Sequence, residues 1–559
     1  MKHRLVILGA LLLTGVAAWL GAQALTPVKP PSQLMPAGAL FYVEARNFSK
    51  LVSDWDASPE KKAWNESANY QSFLRSHLLT RLTEIRKSFT DAAGIPEDAP
   101  LLAGVAGGES AVAFYHIGKL EFLYITEISS SRFADSAIGK VKQKFQPRKA
   151  GGRDYFVQSK GDNTLAFALV DNRLILATRE DLIASSLKLL AGEKIGTLRE
   201  ERWFDQALGK APTSTAAPDV RFLADLDRVT RTPQFRSYWI QSNTAQIRQF
   251  SSEIADLHIG VNDVREDRVF LRRDAMESMA AAELAVADVL RYANPDAGFF
   301  QAMAKPSAVD VAALLGQKLF GYGGSLERQY QSKAAPNAPE GPSLLGEDDY
   351  DTRIDTAQVT EAALDVFAPF SALASNTDAL LQTGIARTTS VLPAFDTAIV
   401  LHGTSAWKAS DVKRALGQVA GAVWSVAPGS LEWSDRNGYS ELNSVTPLRV
   451  AMEGNALVIS TSPEWMARVI AGRRTPSAQG ATYVASFNFA QELPGFTRMM
   501  RLIDFPSIPQ GQASDGRQPL FFSENIASFA ASLSRLESAV ITTHDMGAMV
   551  TESMVYRKK

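Results

Sequence analysis

The chain contains no cysteine in 559 residues, which excludes disulfides, thiolate metal sites, cysteine nucleophiles and a lipid-bearing N-terminal cysteine. Histidine is scarce as well. The six are His3, His77, His116, His258, His402 and His544, and none stands in a His-Glu-x-x-His or other tight ligand spacing. A Gly-x-Ser-x-Gly elbow and a Gly-Lys-Ser/Thr phosphate loop are both missing. Net charge is only −2, so no global field favours nucleic acid or anionic lipid. These absences point to a non-catalytic protein with no cofactor and no metal site.

What is present starts with an export signature. Lys2, His3 and Arg4 precede an apolar run from Leu5 to Leu20, followed by Gly21-Ala22-Gln23-Ala24. A basic start, an apolar stretch and an Ala-x-Ala ending are the parts of a secretory signal, with cleavage after Ala24. The competing reading is a retained inner-membrane anchor, since Leu5 to Ala22 reaches the lower limit for a spanning helix. A large exported chain without disulfides suits a Gram-negative periplasm, soluble or tethered by its N-terminal segment.

Two halves repeat one another faintly. Pro36-Ala37-Gly38-Ala39-Leu40-Phe41-Tyr42-Val43 is answered by Pro295-Asp296-Ala297-Gly298-Phe299-Phe300-Gln301-Ala302. Asn172 to Thr178 is answered by Asn455 to Thr461, Val220–Asp225 by Tyr483–Asn488, and the hairpin from Glu253 to Arg273 by that from Glu537 to Arg557. Hairpins alternating with helices predict an α+β fold, two copies of one repeat with mostly antiparallel sheets packed against helices. The expected division is 1–24 signal or anchor, 25–35 proline-rich spacer, 36–275 first repeat, 276–294 connecting helix and 295–559 second repeat. Residues 331–352, rich in Ala, Pro, Gly and acids, read as a flexible acidic loop.

Other clusters read as scaffold. Ser58-Pro59-Glu60 opens a long helix towards Gly94, with Trp64, Tyr70, Phe73, Leu78 and Leu82 on one stripe. Gly321 to Ser325 and Gly107-Gly108 are turn glycines. Glu347 to Asp351 is a solvated acidic loop without EF-hand spacing. Arg272-Arg273 and Arg473-Arg474 lack the interleaved aromatics of a nucleic-acid surface. The scattered tryptophans (Trp55, Trp64, Trp203, Trp239, Trp407, Trp424, Trp433, Trp465) read as core.

The length, the exported start, the missing cysteine and the opening Leu34-Met35-Pro36-Ala37-Gly38-Ala39-Leu40-Phe41-Tyr42-Val43-Glu44 resemble the YfaA-like family of uncharacterised Gram-negative envelope proteins. That resemblance implies an accessory role beside a bacterial α2-macroglobulin-like protease trap and carries over no functional residues. The expected partner is another envelope protein. A carrier or sensor of a lipid or other apolar ligand is the second reading, and a hydrolase recruiting His402 or His116 a third.

Overall fold

A computed structural model describes residues 29–67, 70, 74, 83–84, 86–87, 90–96, 104–161, 163–214, 216–232, 247–320, 329–331, 358–360, 365–387, 395–426, 431–436, 438–444, 446–472, 480–504 and 535–559. The signal or anchor segment 1–24, His77, Trp239, residues 321–325 and 347–351, and Arg473-Arg474 lie outside them. So does most of the helical stripe beyond Ser67 and of the 331–352 loop. Among the described residues no helix is long and apolar enough to cross a membrane.

The fold is α+β, built on one antiparallel sheet of twenty strands. Its first flank comprises β1 (Phe41–Ala45), β2 (Ser110–His116), β3 (Glu121–Glu127), β4 (Gln146–Ala150), β5 (Arg153–Lys160), β6 (Asn163–Val170), β7 (Arg173–Ala177), β8 (Val220–Asp225), β9 (Phe250–Ile259) and β10 (Asp263–Arg272). The second comprises β11 (Phe299–Ala304) and, after a separate pair formed by β12 (Gln329–Gln331) and β13 (Gln358–Thr360), β14 (Thr377–Ala386), β15 (Phe395–Gly403), β16 (Glu432–Arg436), β17 (Tyr439–Asn443), β18 (Leu448–Glu453), β19 (Ala456–Ser460), β20 (Tyr483–Asn488), β21 (Leu536–Asp545) and β22 (Met549–Lys558).

The flanks meet where β10 pairs with β22, from Asp263 opposite Arg557 to Leu271 opposite Met549. Outward from this seam the first flank runs β10-β9-β8-β1-β2-β3-β7-β6-β5-β4. The second runs β22-β21-β20-β11-β14-β15-β19-β18-β17-β16. With the small pair β12–β13 set aside, the two connectivities match strand for strand. Local bonds match too: Ile128 N–H donates to Asn172 O at 2.9 Å, and Gly403 N–H to Asn455 O at 2.8 Å. Asp225 and Asn488 end corresponding strands, and each caps the helix that follows.

Alternation within the strands decides the layers. One face is covered in the first flank by α1 (Glu180–Leu190) and α2 (Arg202–Leu208), whose Ile183, Leu187 and Phe204 pack with Tyr42, Ala113, Leu223 and Ile254. In the second flank α3 (Glu283–Leu290) and α5 (Pro463–Ala471) cover the same face, placing Val286 and Trp465 with Ala302, Leu381 and Val400. The other face is covered towards its ends. Phe133 and Ile138 pack with Phe167 and Leu176 at one end, and α4 (Ala409–Val423) seats Leu416 and Val419 with Leu401 and Leu457 at the other.

Three expectations need correction. The spacer 25–35 does not remain a spacer to its end: Pro31–Gln33 forms a 3₁₀ turn, and Leu34 and Met35 are fully buried, because Met35 O accepts from Leu198 N–H and draws them into the core. The connecting helix does not begin at Met276. Met276 N–H and Met279 N–H donate to Gly547 O and Asp545 O, so this segment is held against the closing hairpin and α3 starts only at Glu283. The long helix is also interrupted after Pro59–Asn65, where Ser67 turns back on Trp64 O.

Beside the seam, Arg272 grips Asp545 with two hydrogen bonds of 2.5 and 2.8 Å, at 7% and 14% exposure. Burial works to raise the Asp545 carboxyl, but Arg272 and the Gly547 N–H outweigh it and hold it below the ordinary carboxylate range. Removing one partner strands a buried charge. Arg272→Met should cost about 3 kcal/mol in urea unfolding, and Arg272→Met with Asp545→Leu distinctly less. Equal losses for the single and double variants would show that the pair is not coupled.

Candidate functional site

At the seam, charge replaces the apolar residues that fill the same face further out. In register across the strands, Arg268 on β10 lies between Ala255 on β9 and Glu552 on β22. Its Nε is 2.8 Å from Glu266 and 3.9 Å from Glu253, and its Nη1 is 3.5 Å from Glu552. One guanidinium thus serves three carboxylates, two from the first flank and one from the second. The four side chains are 15–30% exposed.

Half-buried phenylalanines border this cluster on the first-flank side. Phe270 is the cross-strand partner of Glu253 and lies 5.1 Å from the Phe250 ring. On the same face Phe222 is 5.8 Å from Phe41, and Phe114 is 5.9 Å from Phe122. The apolar wall sets the electrostatics. Burial pushes the Glu253 carboxyl up to about 7; Arg268 opposes the shift, while Glu266 and Glu552 add to it. Burial likewise raises Glu552, again against Arg268 and with Glu266, and burial followed by Glu552 raises Tyr483.

The opposite face of the seam is also polar. Ser553 Oγ donates to Asp267 at 2.7 Å, and Arg265 lies 2.8 Å from the same carboxylate. Arg221 holds the buried Asp256 with two bonds of 2.7 and 2.8 Å.

The described histidines are spread along the sheet rather than gathered. His116 Nδ1 accepts from Lys119 N–H at 3.0 Å, and His258 lies 4.0 Å from Asp267. His402 Nδ1 is 2.6 Å from Asp378, with Asp288 of α3 at 3.9 Å on its other side. His544 Nδ1 is 3.0 Å from Glu283, so two histidines flank the carboxylates of α3. His116 stands on β2 and His402 on β15, and these strands hold different places in the two connectivities, where β2 answers to β14. His258 and His544 do lie on corresponding strands.

Thr404 and Ser405, close after His402 in the chain, both donate their hydroxyls to Asn376. Two clefts, of about 740 and 600 Å³, open beside Asn172–Arg173 and beside Trp407–Lys408. No histidine lines either among the described residues, and no group of three or more metal-ligating side chains occurs there. The Gly107-Gly108 turn is occupied by the protein itself: its carbonyls accept from Ser49 and Phe48, and a Cβ on Gly107 would meet Glu127 O at 2.0 Å.

Sequence reading missed the seam cluster. Its signal was the run Arg265-Glu266-Asp267-Arg268, which puts charge on both faces of a strand bounded by Val264 and Val269.

No family model matches the chain, and no curated protein matches it. Among solved structures it is similar to TP0453, a Treponema protein, in crystal forms IV and III. Identity is 12% and 11%, coverage is 44% and 47% of this chain and 81% and 86% of that one, and the TM-scores are 0.24 and 0.25. At that level of superposition the likeness carries no argument about this chain.

Because the Glu253 carboxyl is raised, the folded protein keeps a proton that the unfolded chain releases between the ordinary carboxylate range and about pH 7. Stability is therefore fuller at the acid end of that window and falls as pH rises through it. Glu253→Gln should be nearly neutral at pH 5 and stabilising by about 2 kcal/mol at pH 8. Urea midpoints at the two pH values check this, and a variant destabilised at pH 8 would contradict the burial argument.

Proposed function

We propose that this is an exported, non-catalytic binding protein whose two flanks are copies of one α+β unit and whose sheet body docks another envelope protein. What carries the reading is the central sheet face. There Phe41, Phe114, Phe122, Phe222, Phe250 and Phe270 are all half-buried, whereas core phenylalanines such as Phe167 and Phe204 are nearly fully buried. Half-buried aromatics around a few charged groups have the composition of a protein-docking surface, with rigid anchors and a polar centre. Export rests on the Lys2 to Ala24 signature. An accessory role beside an α2-macroglobulin-like trap rests on the family resemblance.

A carrier of an apolar ligand is the second reading, favoured by the same paired rings at 5.1–5.9 Å. Site-specific photocrosslinking separates the two. A benzophenone side chain at Phe222 should capture one discrete envelope protein, while the same probe at Val261, 91% exposed on a hairpin tip, should not. Recovery of a lipid adduct at Phe222, with a matching ligand in the native mass spectrum, would establish the carrier instead. Equal labelling at both positions would remove the docking face.

A further inference from the structure

We propose that the seam is a pH-responsive joint, in which the three carboxylates around Arg268 set how firmly β10 holds β22. The geometry makes them compete. Glu266 and Glu253 belong to the first flank and draw on the same guanidinium that ties across to Glu552. When all three are ionised, one positive charge faces three negative ones behind phenylalanine walls, and the cross-seam contact at 3.5 Å is the longer of the two direct ones. A proton on Glu253 removes one competitor and one repulsion, leaving Arg268 to Glu266 and Glu552. Acidification therefore tightens the joint and deprotonation loosens it; the raised Glu253 carboxyl places this change near neutrality.

The surroundings leave few other groups to answer pH. On this face β10 contributes Glu266 and Arg268, β22 Glu552 and β20 Tyr483, while the facing residues of β8, Phe222 and Ala224, carry no charge. At the strand ends stand the Arg272–Asp545 pair and Lys558, whose Nζ donates to Gly260 O. Through the sheet, on the other face, lie Arg265, Asp267, Asp256 and His258. Of these His258 is the imidazole, so it is the rival to exclude. The fully buried residues of each core cluster come from one flank, while the half-buried Met549 of β22 packs across the seam against the first-flank cluster that holds Val269. Loosening the seam releases that contact and leaves the buried residues of each flank among their own neighbours.

Hydrogen exchange on the full chain, corrected for intrinsic exchange, reads the joint directly. Opening of β10 and β22 amides should rise about tenfold from pH 6 to pH 8, while β6 and β7 amides stay level. Glu253→Gln should abolish the rise and hold the seam at its acid protection, and Glu552→Gln should flatten it. His258→Asn should leave it intact. The proposal is overturned if seam and β6–β7 amides move together in the unmodified protein, if Glu253→Gln keeps the full rise, or if His258→Asn removes it. The first comparison needs no variant to fold.

Discussion

Backbone pairing between β10 and β22 is the constraint on which the architecture depends. Without it each flank would end in a ten-residue strand with unpaired amides and carbonyls, an edge that invites association. The closure is reciprocal. Arg272 N–H donates to Ala548 O at 3.0 Å and Lys558 N–H to Asn262 O at 2.8 Å, so the last residue of each closing strand bonds to the turn of the opposite hairpin. Their side chains repeat the exchange on Gly547 O and Gly260 O. Gly547 is required there: its φ is +81°, and a Cβ would meet Met276 O at 2.4 Å. In a chain without cysteine, this ladder and its polar ties hold the flanks together with no covalent staple.

The outer edges show the opposite treatment. β4 is Gln146-Pro147-Arg148-Lys149-Ala150, exposed along almost its whole length, with a proline that cannot donate and two cations. β16 carries Glu432, Asp435 and Arg436. Such edges resist further strand addition, so β-augmentation is disfavoured at both ends of the twenty strands seen among the described residues. The proposed docking is accordingly assigned to a sheet face, where aromatic side chains are half-buried on the central strands.

Much of this was legible where local signals agreed. Ser110–His116, Arg173–Ala177, Val220–Asp225 and Tyr483–Asn488 fall where alternation or short apolar runs meet turn residues. β14 was missed because Thr377–Ala386 carries two Ala, two Leu and a Gly and is buried on both faces, so neither composition nor period marks it as a strand. β4 was hidden by its proline. Met276 to Met279 has good helix formers, yet its backbone bonds to Gly547 and Asp545 prevail over propensity, and only a 3₁₀ turn at Ala280–Ala282 leads into α3. Of the seam cluster only the charged run on β10 stood in the sequence: Glu253, Arg268 and Glu552 meet through a register between the middle and the end of the chain.

The placement of polar groups explains why the seam, and not a flank, is the responsive element. Buried ion clusters are commonly less stabilising than apolar residues of the same volume, and the flanks show that this sequence builds apolar sheet faces readily. On β10 and β22 it instead places Asp267 opposite Ser553 and Arg268 opposite Glu552, with Arg265 and Glu266 next to them opposite Val555 and Met554. Most buried apolar residues thereby lie in two pairs of cores, while the strip between them combines backbone bonds, a few apolar contacts such as Met549 on the first-flank core, and charges that screen one another incompletely. Such a strip opens before the cores do. The half-buried phenylalanines of β9 and β10 lie on the strands that must shift when it opens, so the state of the joint determines the shape of the face proposed to dock a partner.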